Sequence, residues 1–357
     1  MKTKFSVLIL FMLTIITLSG CSIQLSGSSN SVNGGNDGGI FRSSNKGDLW
    51  TQKVLIPTVN GQPSNFGSFD AYSFAVDPSD RKALYLGTIG HGLLYSYDGG
   101  DSWQKMGSLS NFSIKSIAID PVFKCTIYVA IDNNVVKSND CGRNFSRVYF
   151  DNDPIVKINS IAIDPKNGAN VFIGTSRGEI IKSSDRGDSW QTINRFDRTV
   201  IKILISPYDS SEIFVATDGR SLHVSNNAGS NWQDLDKNLK DFPDSINFKD
   251  LVFSGTAPGT VYLASKYGLL KSTDYGKNWT KINLITPADK ATINAVAVSP
   301  KNDLQMYYVT NTTFYRSDDG GKTWTTKKLP TTRAGWDLFV DPVDTNIIYM
   351  TARAIQK

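Results

Sequence analysis

The chain is poor in the residues that usually build metal and nucleophile sites. Its 357 residues include three cysteines and two histidines, and glutamate occurs only at Glu179 and Glu212. His91 and His223 are far apart and have no neighbouring ligand-type residues, so we predict neither a metal site nor a cofactor. No phosphate-binding glycine loop or nucleophile elbow is found. The net charge of +5 is small and dispersed, which makes a nucleic-acid-binding surface unexpected.

Long hydrophobic runs are also missing, with one exception at the N-terminus. Lys2 and Lys4 precede an apolar run over residues 5–18, which is too short for a comfortable bilayer span. The run ends in Leu-Ser-Gly-Cys21, which resembles the lipobox of bacterial lipoproteins. This resemblance implies that residues 1–20 are a lipoprotein signal peptide and that the Cys21 thiol carries a lipid. The alternative is an ordinary secretory signal with a chance cysteine.

Residues 21–38 consist almost wholly of serine, glycine and asparagine, a composition typical of a flexible tether. Acyl chains on Cys21, each CH₂ contributing about 0.8 kcal/mol when buried, would hold the chain to a membrane. Removal of the signal peptide lowers the net charge to +3. We therefore expect a monomer, located outside the cytoplasm at the cell envelope. If the organism has an outer membrane, Ser22 after the lipidated cysteine resembles the pattern for export there.

An eight-residue phrase, Ser-x-Asp/Asn-x-Gly-x-x-Trp/Phe, occurs seven times. Its aromatic residues are separated by 53, 42, 45, 42, 47 and 45 residues. Each phrase follows short strand-like segments, and a recurrent strand ends in Asp-Pro or a relative of it, as in Ile117–Pro121 and Leu338–Pro342. Four short strands repeated every 40–45 residues are typical of a propeller blade. Residues 39–357 are therefore predicted to form an all-β propeller with seven blades of four antiparallel strands.

The order of these phrases predicts how the ring closes. The chain opens at Gly39 with a phrase that lacks an Asp-Pro strand, and it closes with an Asp-Pro strand, residues 336–352, that lacks the phrase. Because a ring must leave no open strand edge, we expect the last blade to be shared, with two strands from each end of the chain.

Within the phrase, the polar side chains can accept backbone N–H groups of a tight turn, and the glycine can adopt a positive φ. The acidic or amide position is occupied as follows: Asn45, Asp98, Asp140, Asp185, Asn227, Asp274 and Asp319. An amide keeps the acceptor and loses the charge, which suits a turn lock and would ruin a catalytic acid. The phrase resembles the Asp-box, or bacterial neuraminidase repeat, of sialidases, sortilin-type receptors, xyloglucanase-type glycosidases and the photosystem II assembly-factor family. That resemblance implies a structural role on the side of the ring away from the ligand.

Cys125 and Cys141 flank a predicted hairpin centred on Asn133, which would place them directly opposite one another. Outside the cytoplasm such a pair should form a disulfide. The alternative is two free thiols.

The predicted ligand face is formed by the loops between blades and between second and third strands. Its candidate residues are Arg177, Arg198, Lys202, Arg220, Tyr267, Arg333, Trp336 and Arg353. Five residues before the strand-ending proline, the aligned strands carry Ser73, Ser116, Ser160, Lys202, Asp250, Ala295 and Asp337, with Asp250 placed by strand alignment because its blade has no proline there. We interpret Lys202 and Asp250 as a structural ion pair near the channel mouth. The alternative makes Asp250 and Asp337 the acid and base of a glycosidase.

The enzymatic alternatives each lack a part that the resemblance requires. A sialidase would need a tyrosine nucleophile with a glutamate partner, for which two glutamates are few. Xyloglucanase-type enzymes use a cleft between two propellers, and this chain contains one. The favoured function is a non-catalytic scaffold or assembly factor that binds an envelope protein or a surface glycan. A glycoside hydrolase acting on extracellular glycans is the alternative.

Overall fold

The computed structural model describes residues 36–355, except residues 60, 219, 220, 288, 289 and 291. They form short β-strands and two 3-10 helices, Gly107–Leu109 and Asp236–Leu239. No helix in this part of the chain is long and apolar enough to cross a membrane. The predicted signal peptide, Cys21 and the tether up to residue 35 lie outside the described residues.

Seven four-stranded antiparallel sheets make up most of the described structure, and we number them as blades 1 to 7. A two-stranded hairpin, Leu55–Ile56 with Ser64–Asn65, lies in the segment before blade 1. Blade 1 is Ala71–Asp77, Asp80–Thr88, Leu93–Ser96 and Gln104–Lys105; blade 2 is Ile114–Ile119, Ile127–Ile131, Asn134–Ser138 and Ser146–Phe150; blade 3 is Ile158–Ile163, Val171–Thr175, Glu179–Ser183 and Gln191–Arg195; blade 4 is Val200–Ile205, Ile213–Thr217, Ser221–Ser225 and Gln233–Asp234; blade 5 is Phe248–Phe253, Val261–Ser265, Leu269–Ser272 and Thr280–Ile282; blade 6 is Ile293–Ser299, Asn302–Thr310, Thr313–Ser317 and Thr325–Lys328. The prediction of an all-β, seven-bladed propeller is confirmed.

Blade 7 combines both ends of the chain. Its strands, in spatial order, are Ala334–Val340, Ile348–Arg353, Gly39–Ser43 and Thr51–Gln52. Gly39 pairs with Ala352, and the antiparallel register continues to the end of the N-terminal strand. The predicted closure, with two strands from each end, is confirmed.

First strands of neighbouring blades contact one another around the central channel, and the second strands are the most deeply buried. In blades 2 to 5 every residue of the second strand is buried, as expected for an apolar strand covered on both faces. Two of the box tryptophans hydrogen-bond to the preceding blade: the Trp190 indole N–H donates to the Val148 carbonyl of blade 2 at 2.9 Å. Trp324 donates in the same way to the Asn283 carbonyl, after blade 5, at 2.8 Å.

All seven boxes share one hydrogen-bond pattern, shown here for blade 6. The Ser317 hydroxyl accepts the Gly321 N–H at 2.8 Å and donates to Asp319 Oδ1 at 2.7 Å, and the same oxygen accepts the Thr323 N–H at 2.9 Å. Gly321 has φ of 87°, and the box glycines of all blades lie in this left-handed region. The boxes therefore act as turn locks at the end of the ring where the first strands finish; we call this end the box face.

The boxes with aspartate have one bond that the asparagine boxes lack. The second carboxylate oxygen of Asp319 accepts the Thr323 hydroxyl at 2.6 Å. Equivalent bonds join Ser102 to Asp98, Asn144 to Asp140, Ser189 to Asp185, and Asn278 to Asp274. In the Asn45 box the corresponding residue is Leu49, which offers no donor. The charged oxygen therefore serves the turn itself.

Cys125 and Cys141 are joined by a disulfide. The hairpin differs from the predicted one by half a residue, because its two turn residues are Asp132 and Asn133 and its strand begins at Ile127. Cys125 precedes that strand and has φ of 66°. The bond fastens the box of blade 2 to the turn that precedes the blade's second strand.

Candidate binding face at the channel mouth

The first strand of every blade contains a β-bulge near its start. In blade 7, Gly335 pairs with Ala352 and Asp337 with Thr351, so Trp336 is skipped by the pairing. The seven skipped residues are Tyr72, Lys115, Asn159, Ile201, Lys249, Asn294 and Trp336. A bulge leaves its extra residue unpaired and redirects its side chain. These residues surround the end of the channel opposite the box face, which we call the mouth.

In blades 1 to 5 the residue after the bulge connects its blade to the next one. The Ser116 hydroxyl accepts the Ile161 N–H of blade 3 at 3.0 Å, and the Ser160 hydroxyl accepts the Ile203 N–H of blade 4 at 3.0 Å. In blade 5 the acceptor is Asp250, whose Oδ2 binds the Val296 N–H of blade 6 at 3.1 Å. These are the aligned positions found in the sequence, and in blades 1 to 5 they form a series of inter-blade hydrogen bonds.

The hydrogen-bonding capacity of the preceding blade explains why carboxylates occur at two of these positions. Lys202 of blade 4 is a donor and has no oxygen for the next blade, and the Leu251 N–H is instead accepted by Asp250 Oδ1 at 2.8 Å. Ala295 of blade 6 has no polar side chain, and Asp337 Oδ1 accepts the following N–H, that of Leu338, at 2.8 Å. Each aspartate therefore follows a blade in which the residue after the bulge has no side-chain oxygen to accept a hydrogen bond.

Asp250 has no oxygen to spare for chemistry. Besides the two backbone N–H groups, its Oδ1 accepts the Lys202 ammonium at 2.6 Å, and only 11% of its side chain is exposed. Burial lowers the pKa of Lys202, but attraction to Asp250 and the hydrogen bond between them outweigh it, so this pKa lies above its ordinary value. This geometry agrees with the structural ion pair that the sequence suggested.

Asp337 is the channel carboxylate with a displaced titration. Burial, and next to it the negative charge of Asp250, raise the pKa of Asp337 to about 6, although Lys202 acts in the opposite direction. A carboxyl group of this kind can hold a proton near neutral pH. The partner that a glycosidase would require, however, is the fully hydrogen-bonded Asp250.

An aromatic and cationic cluster lies at the mouth where blades 7 and 1 meet. The guanidinium of Arg353 lies 4.2 Å from the centre of the Trp336 ring and 5.0 Å from that of Tyr72. The Trp336 indole donates to the Tyr72 carbonyl at 3.3 Å, yet 36% of the residue is exposed. Arg353 has no carboxylate partner among the described residues. The cluster offers a flat apolar surface beside an unneutralised cation.

The other predicted ligand-face residues are placed differently. Arg177 forms ion pairs with Asp151 at 2.6 Å and Glu179 at 3.1 Å. Arg198 is exposed and lines a polar cavity between blades 3 and 4, whereas Tyr267 packs edge-on against Phe242. Arg220 lies outside the described residues.

Arg333 is buried, 8% exposed, and bound to Asp70 and Asp37, so it is not open to a ligand as the sequence suggested. Its role is to join loops, because its partners come from different parts of the chain. Sequence reasoning missed this cluster because the three residues are separated by up to 296 positions.

A tyrosine lies beside a network of carboxylates and arginines between blades 2 and 3. The Tyr149 hydroxyl lies 3.4 Å from Asp151 Oδ2, and Glu179 is buried against Arg177 and Arg195. Burial and the neighbouring carboxylates raise the pKa of Tyr149 to about 12. A nucleophile needs the opposite shift, so this cluster is built as an ion-pair network.

Other candidate chemistry is absent from the described part of the chain. His91 stacks on Phe69 and His223 on Phe196, with ring centres 3.9 Å and 4.2 Å apart. Burial lowers the pKa of His223. No group of three or more His, Cys, Asp or Glu side chains suited to a metal ion occurs among the described residues.

Comparison with known proteins supports the propeller type. Residues 178–266 match the family model described as "Sortilin, neurotensin receptor 3". The chain is 30% identical over 159 residues to the xyloglucanase Xgh74A of Acetivibrio thermocellus. The aligned region covers 44% of this chain and 16% of the relative. A xyloglucanase from Paenibacillus sp. is 26% identical over 193 residues, 44% of this chain and 18% of its own. The chain thus spans less than a fifth of these relatives.

Solved structures show the same fold at low sequence identity. The GH74 xyloglucanase from Xanthomonas campestris superposes with a TM-score of 0.65 at 20% identity, over 80% of this chain and 51% of its own. A structure of YCF48 bound to D1 peptide gives a TM-score of 0.63 at 15% identity, over 85% of this chain and 96% of its own. The chain is therefore a single ring similar to both sortilin-type and xyloglucanase-type propellers.

Proposed function

We propose that the protein is a lipid-anchored, non-catalytic propeller that binds a protein partner at the cell envelope through the channel mouth. One observation carries the non-catalytic part: both oxygens of Asp250 are bound to neighbouring groups, one of them to Lys202 and a backbone N–H at once. A general acid or base must exchange its proton with substrate, and a carboxylate whose two oxygens both accept hydrogen bonds from neighbouring groups is poorly suited to that task.

Two kinds of similarity bear on the class of ligand. YCF48, whose length matches this ring almost completely, has been solved with a bound D1 peptide. The xyloglucanases share less than a fifth of their length with this chain. The Trp336–Arg353–Tyr72 cluster suits a peptide that combines apolar and negatively charged groups. A surface glycan is the other ligand that such an aromatic surface could hold.

The anchor is tested by replacing Cys21 with serine in the full chain. Metabolic labelling with a fatty-acid probe should mark the natural protein and leave the C21S variant unlabelled. The natural protein should sediment with membranes, and the variant should not. Labelling of C21S, or a soluble natural protein, would contradict the proposal.

Binding at the mouth is tested by comparing one variant at the mouth with one at the box face. Capture from detergent-solubilised membranes should recover a stable partner, and an Arg353→Ala variant should bind it at least tenfold more weakly. A Leu49→Ala variant, changed at a 74% exposed residue of the box face, should bind normally. Equal losses in both variants would argue against a site at the mouth.

A glycoside hydrolase remains the second candidate, favoured by the 30% identity with Xgh74A and by the raised pKa of Asp337. Incubation with a panel of polysaccharides, xyloglucan included, should release no reducing sugar. Release that an Asp337→Asn change abolishes would replace the binding function with hydrolysis.

A further inference from the structure

A cavity of about 150 Å³ opens on the box face, where blades 4 and 5 meet. It is bounded by the start of the second strand of blade 4, the box of that blade with the strands that flank it, and the box of blade 5. The lining residues are Glu212, Val224, Asn226, Asn231, Trp232, Gln233, Tyr275 and Lys277. The cavity therefore lies at the opposite end of the ring from the channel mouth.

One polar group of this cavity is available because the box of blade 4 carries Asn227 in place of aspartate. In the aspartate boxes the residue four positions later can donate to the second carboxylate oxygen, as Asn144 does to Asp140 Oδ2 at 2.7 Å. Asn227 has a single side-chain oxygen, which accepts the Ser225 hydroxyl and the Asn231 N–H. The side-chain amide of Asn231, the counterpart of Asn144, is exposed and has no hydrogen-bond partner among the described residues.

The other polar side chains that line the cavity are also without hydrogen bonds to the described part of the chain. The amides of Asn226 and Gln233 are exposed, as is the ammonium-bearing Lys277. Glu212 is partly buried and forms no ion pair there. Burial, and then the charge of Asp209, raise the pKa of Glu212, although Lys277 acts in the opposite direction. Three amides, one carboxylate and one ammonium thus line a single cavity, and the two charges of the lining cancel.

Two aromatic side chains supply the apolar part of the wall. The Trp232 ring packs edge-on against Phe196, which follows blade 3, with ring centres 5.5 Å apart. Tyr275 is partly buried against the apolar core that blades 4 and 5 share. Both rings are therefore held in place by residues that do not line the cavity. Fixed aromatic rings beside hydrogen-bonding groups suit a ligand that has an apolar face and a polar edge.

A sugar ring has the chemistry that this lining requires. Its C–H groups form an apolar face that can lie on an aromatic ring. Each of its hydroxyls both donates and accepts, as an asparagine or glutamine amide does, while a carboxylate adds a strong acceptor and an ammonium a strong donor. Because the charges of Glu212 and Lys277 cancel, an uncharged ring is favoured over an acidic sugar or a cation.

We propose that this cavity binds an uncharged sugar ring, either as a free sugar or as one unit of a polysaccharide. The site is separate from the mouth, and it does not depend on the partner proposed there. A cavity of this size contacts about one ring, so the expected dissociation constant is on the order of 1 mM.

Binding is measured by saturation-transfer NMR on the full chain in a detergent without a sugar headgroup. The probes are the common uncharged hexoses and N-acetylhexosamines, their tetramers, and the acidic tetramer tetragalacturonate. At least one uncharged probe should bind, and tetragalacturonate should bind at least tenfold more weakly. A tetramer that binds more tightly than its monomer identifies a polysaccharide as the source, and equal affinities identify a free sugar. The proposal is overturned if no uncharged probe binds or if tetragalacturonate binds best.

The location of the site is tested by two asparagines at equivalent box positions. Asn231→Ala removes an amide of the cavity that makes no bond in the ring, so sugar affinity should fall at least fivefold while the melting temperature is unchanged. Asn144→Ala, in blade 2, removes the bond to Asp140 and should lower the melting temperature by about 1–3 °C without changing sugar affinity.

Glu212→Ala is the second variant at the cavity, and it should weaken sugar binding at least threefold because it removes the strongest acceptor. Sugar binding that is unchanged in both Asn231→Ala and Glu212→Ala, or that is lost equally in Asn144→Ala, would place the sugar elsewhere and overturn the assignment of this cavity.

Discussion

Asp250 occupies a position where three other blades carry serine, and its charge answers a neighbour that cannot accept a hydrogen bond. An Asp250→Ala change removes the acceptor for the Leu251 and Val296 N–H groups and leaves the Lys202 ammonium unpaired. We expect the free energy of unfolding to fall by about 2–4 kcal/mol, measured by urea denaturation. The lower end reflects the 35% exposure of the Lys202 side chain, which water in the channel screens.

The double change Lys202→Ser/Asp250→Ser is the matched control. It reproduces the serines of blades 1 to 3, so that position 202 can accept the Leu251 N–H and position 250 the Val296 N–H. Most of the lost stability should return. A double variant as unstable as Asp250→Ala would show that stability depends on the ion pair itself and not on the hydrogen bonds accepted from the Leu251 and Val296 N–H groups.

Asp337 should make the free energy of unfolding depend on pH, and an Asp337→Asn change should remove that contribution. Its pKa is about 6 in the folded chain and near 3.9 when unfolded. Because the folded value is the higher one, its contribution to stability is complete below about pH 4 and is lost as the pH rises through 6. Asp337→Asn keeps an acceptor for the Leu338 N–H. The stability of this variant relative to the natural protein should increase by about 1–3 kcal/mol between pH 4 and 7.

Urea denaturation of the natural protein and the Asp337→Asn variant at a series of pH values tests this prediction. The difference in free energy of unfolding between the two proteins is the quantity to compare, because their other carboxylates titrate alike. Parallel pH profiles would mean that Asp337 ionises freely in the channel.

At the scale of the element, the box turns depend on backbone shape more than on charge. A Cβ on Gly321, at φ of 87°, would lie 2.4 Å from Cγ2 of Ile282. Gly321→Ala should therefore cost about 2–4 kcal/mol in thermal or urea unfolding. Gly61 is the control, because it also has a positive φ, 71°, but has no atom near the added Cβ. Gly61→Ala should cost about 1 kcal/mol.

Asp319→Asn, which removes only the bond from the Thr323 hydroxyl to the second oxygen, should cost less than 1.5 kcal/mol, roughly one hydrogen bond. If it proved as damaging as Gly321→Ala, the charge of the box would have a role beyond the turn.

The sequence predicts the boxes and strands well because their signals are local. Ser317, Asp319 and Gly321 lie within five residues and bind one another. The bulges are invisible at this level, because one extra residue in a strand such as Ile158–Ile163 does not disturb its apolar character. The hairpin Leu55–Ile56 with Ser64–Asn65 was missed for a related reason, since strands of two residues have no detectable period.

At the scale of the whole molecule, the shared blade makes the ring depend on both ends of the chain. Deletion of residues 348–357 removes the second strand of blade 7 and exposes the edges of its neighbours. We expect this truncation to lose cooperative thermal unfolding and to aggregate, as judged by circular dichroism and gel filtration.

A circular permutant is the matched control for that truncation. The ends are close, since Gly39 pairs with Ala352 and the Ala354 N–H binds Asp70, which also binds Arg333. A short Gly-Ser linker from residue 355 to residue 36, with new termini between Gly61 and Gln62, should retain the fold and unfold within about 5 °C of the natural protein. A permutant that fails to fold would mean that closure needs free ends.

The functional face was predicted less completely than the fold, because it is assembled from residues far apart in the chain. Trp336 and Arg353 were expected there and do form a pair. The third residue of the cluster, Tyr72, comes from blade 1, more than 260 positions earlier in the chain. Arg333 was assigned by its position in a loop, and only the tertiary structure shows that Asp37 and Asp70 bury it.

At each bulge two neighbouring residues have different roles: one is left out of the strand pairing, and the next faces the adjacent blade. The strand pairing passes over the extra residue, and in blades 1 to 5 the next residue makes a bond to the following blade. An exposed position such as Ile201 or Lys249 can thus change without altering the register of its sheet. If the mouth is the binding surface that we propose, its specificity is set by seven bulge residues, one from each blade, which can be replaced while the sheets that carry them stay the same.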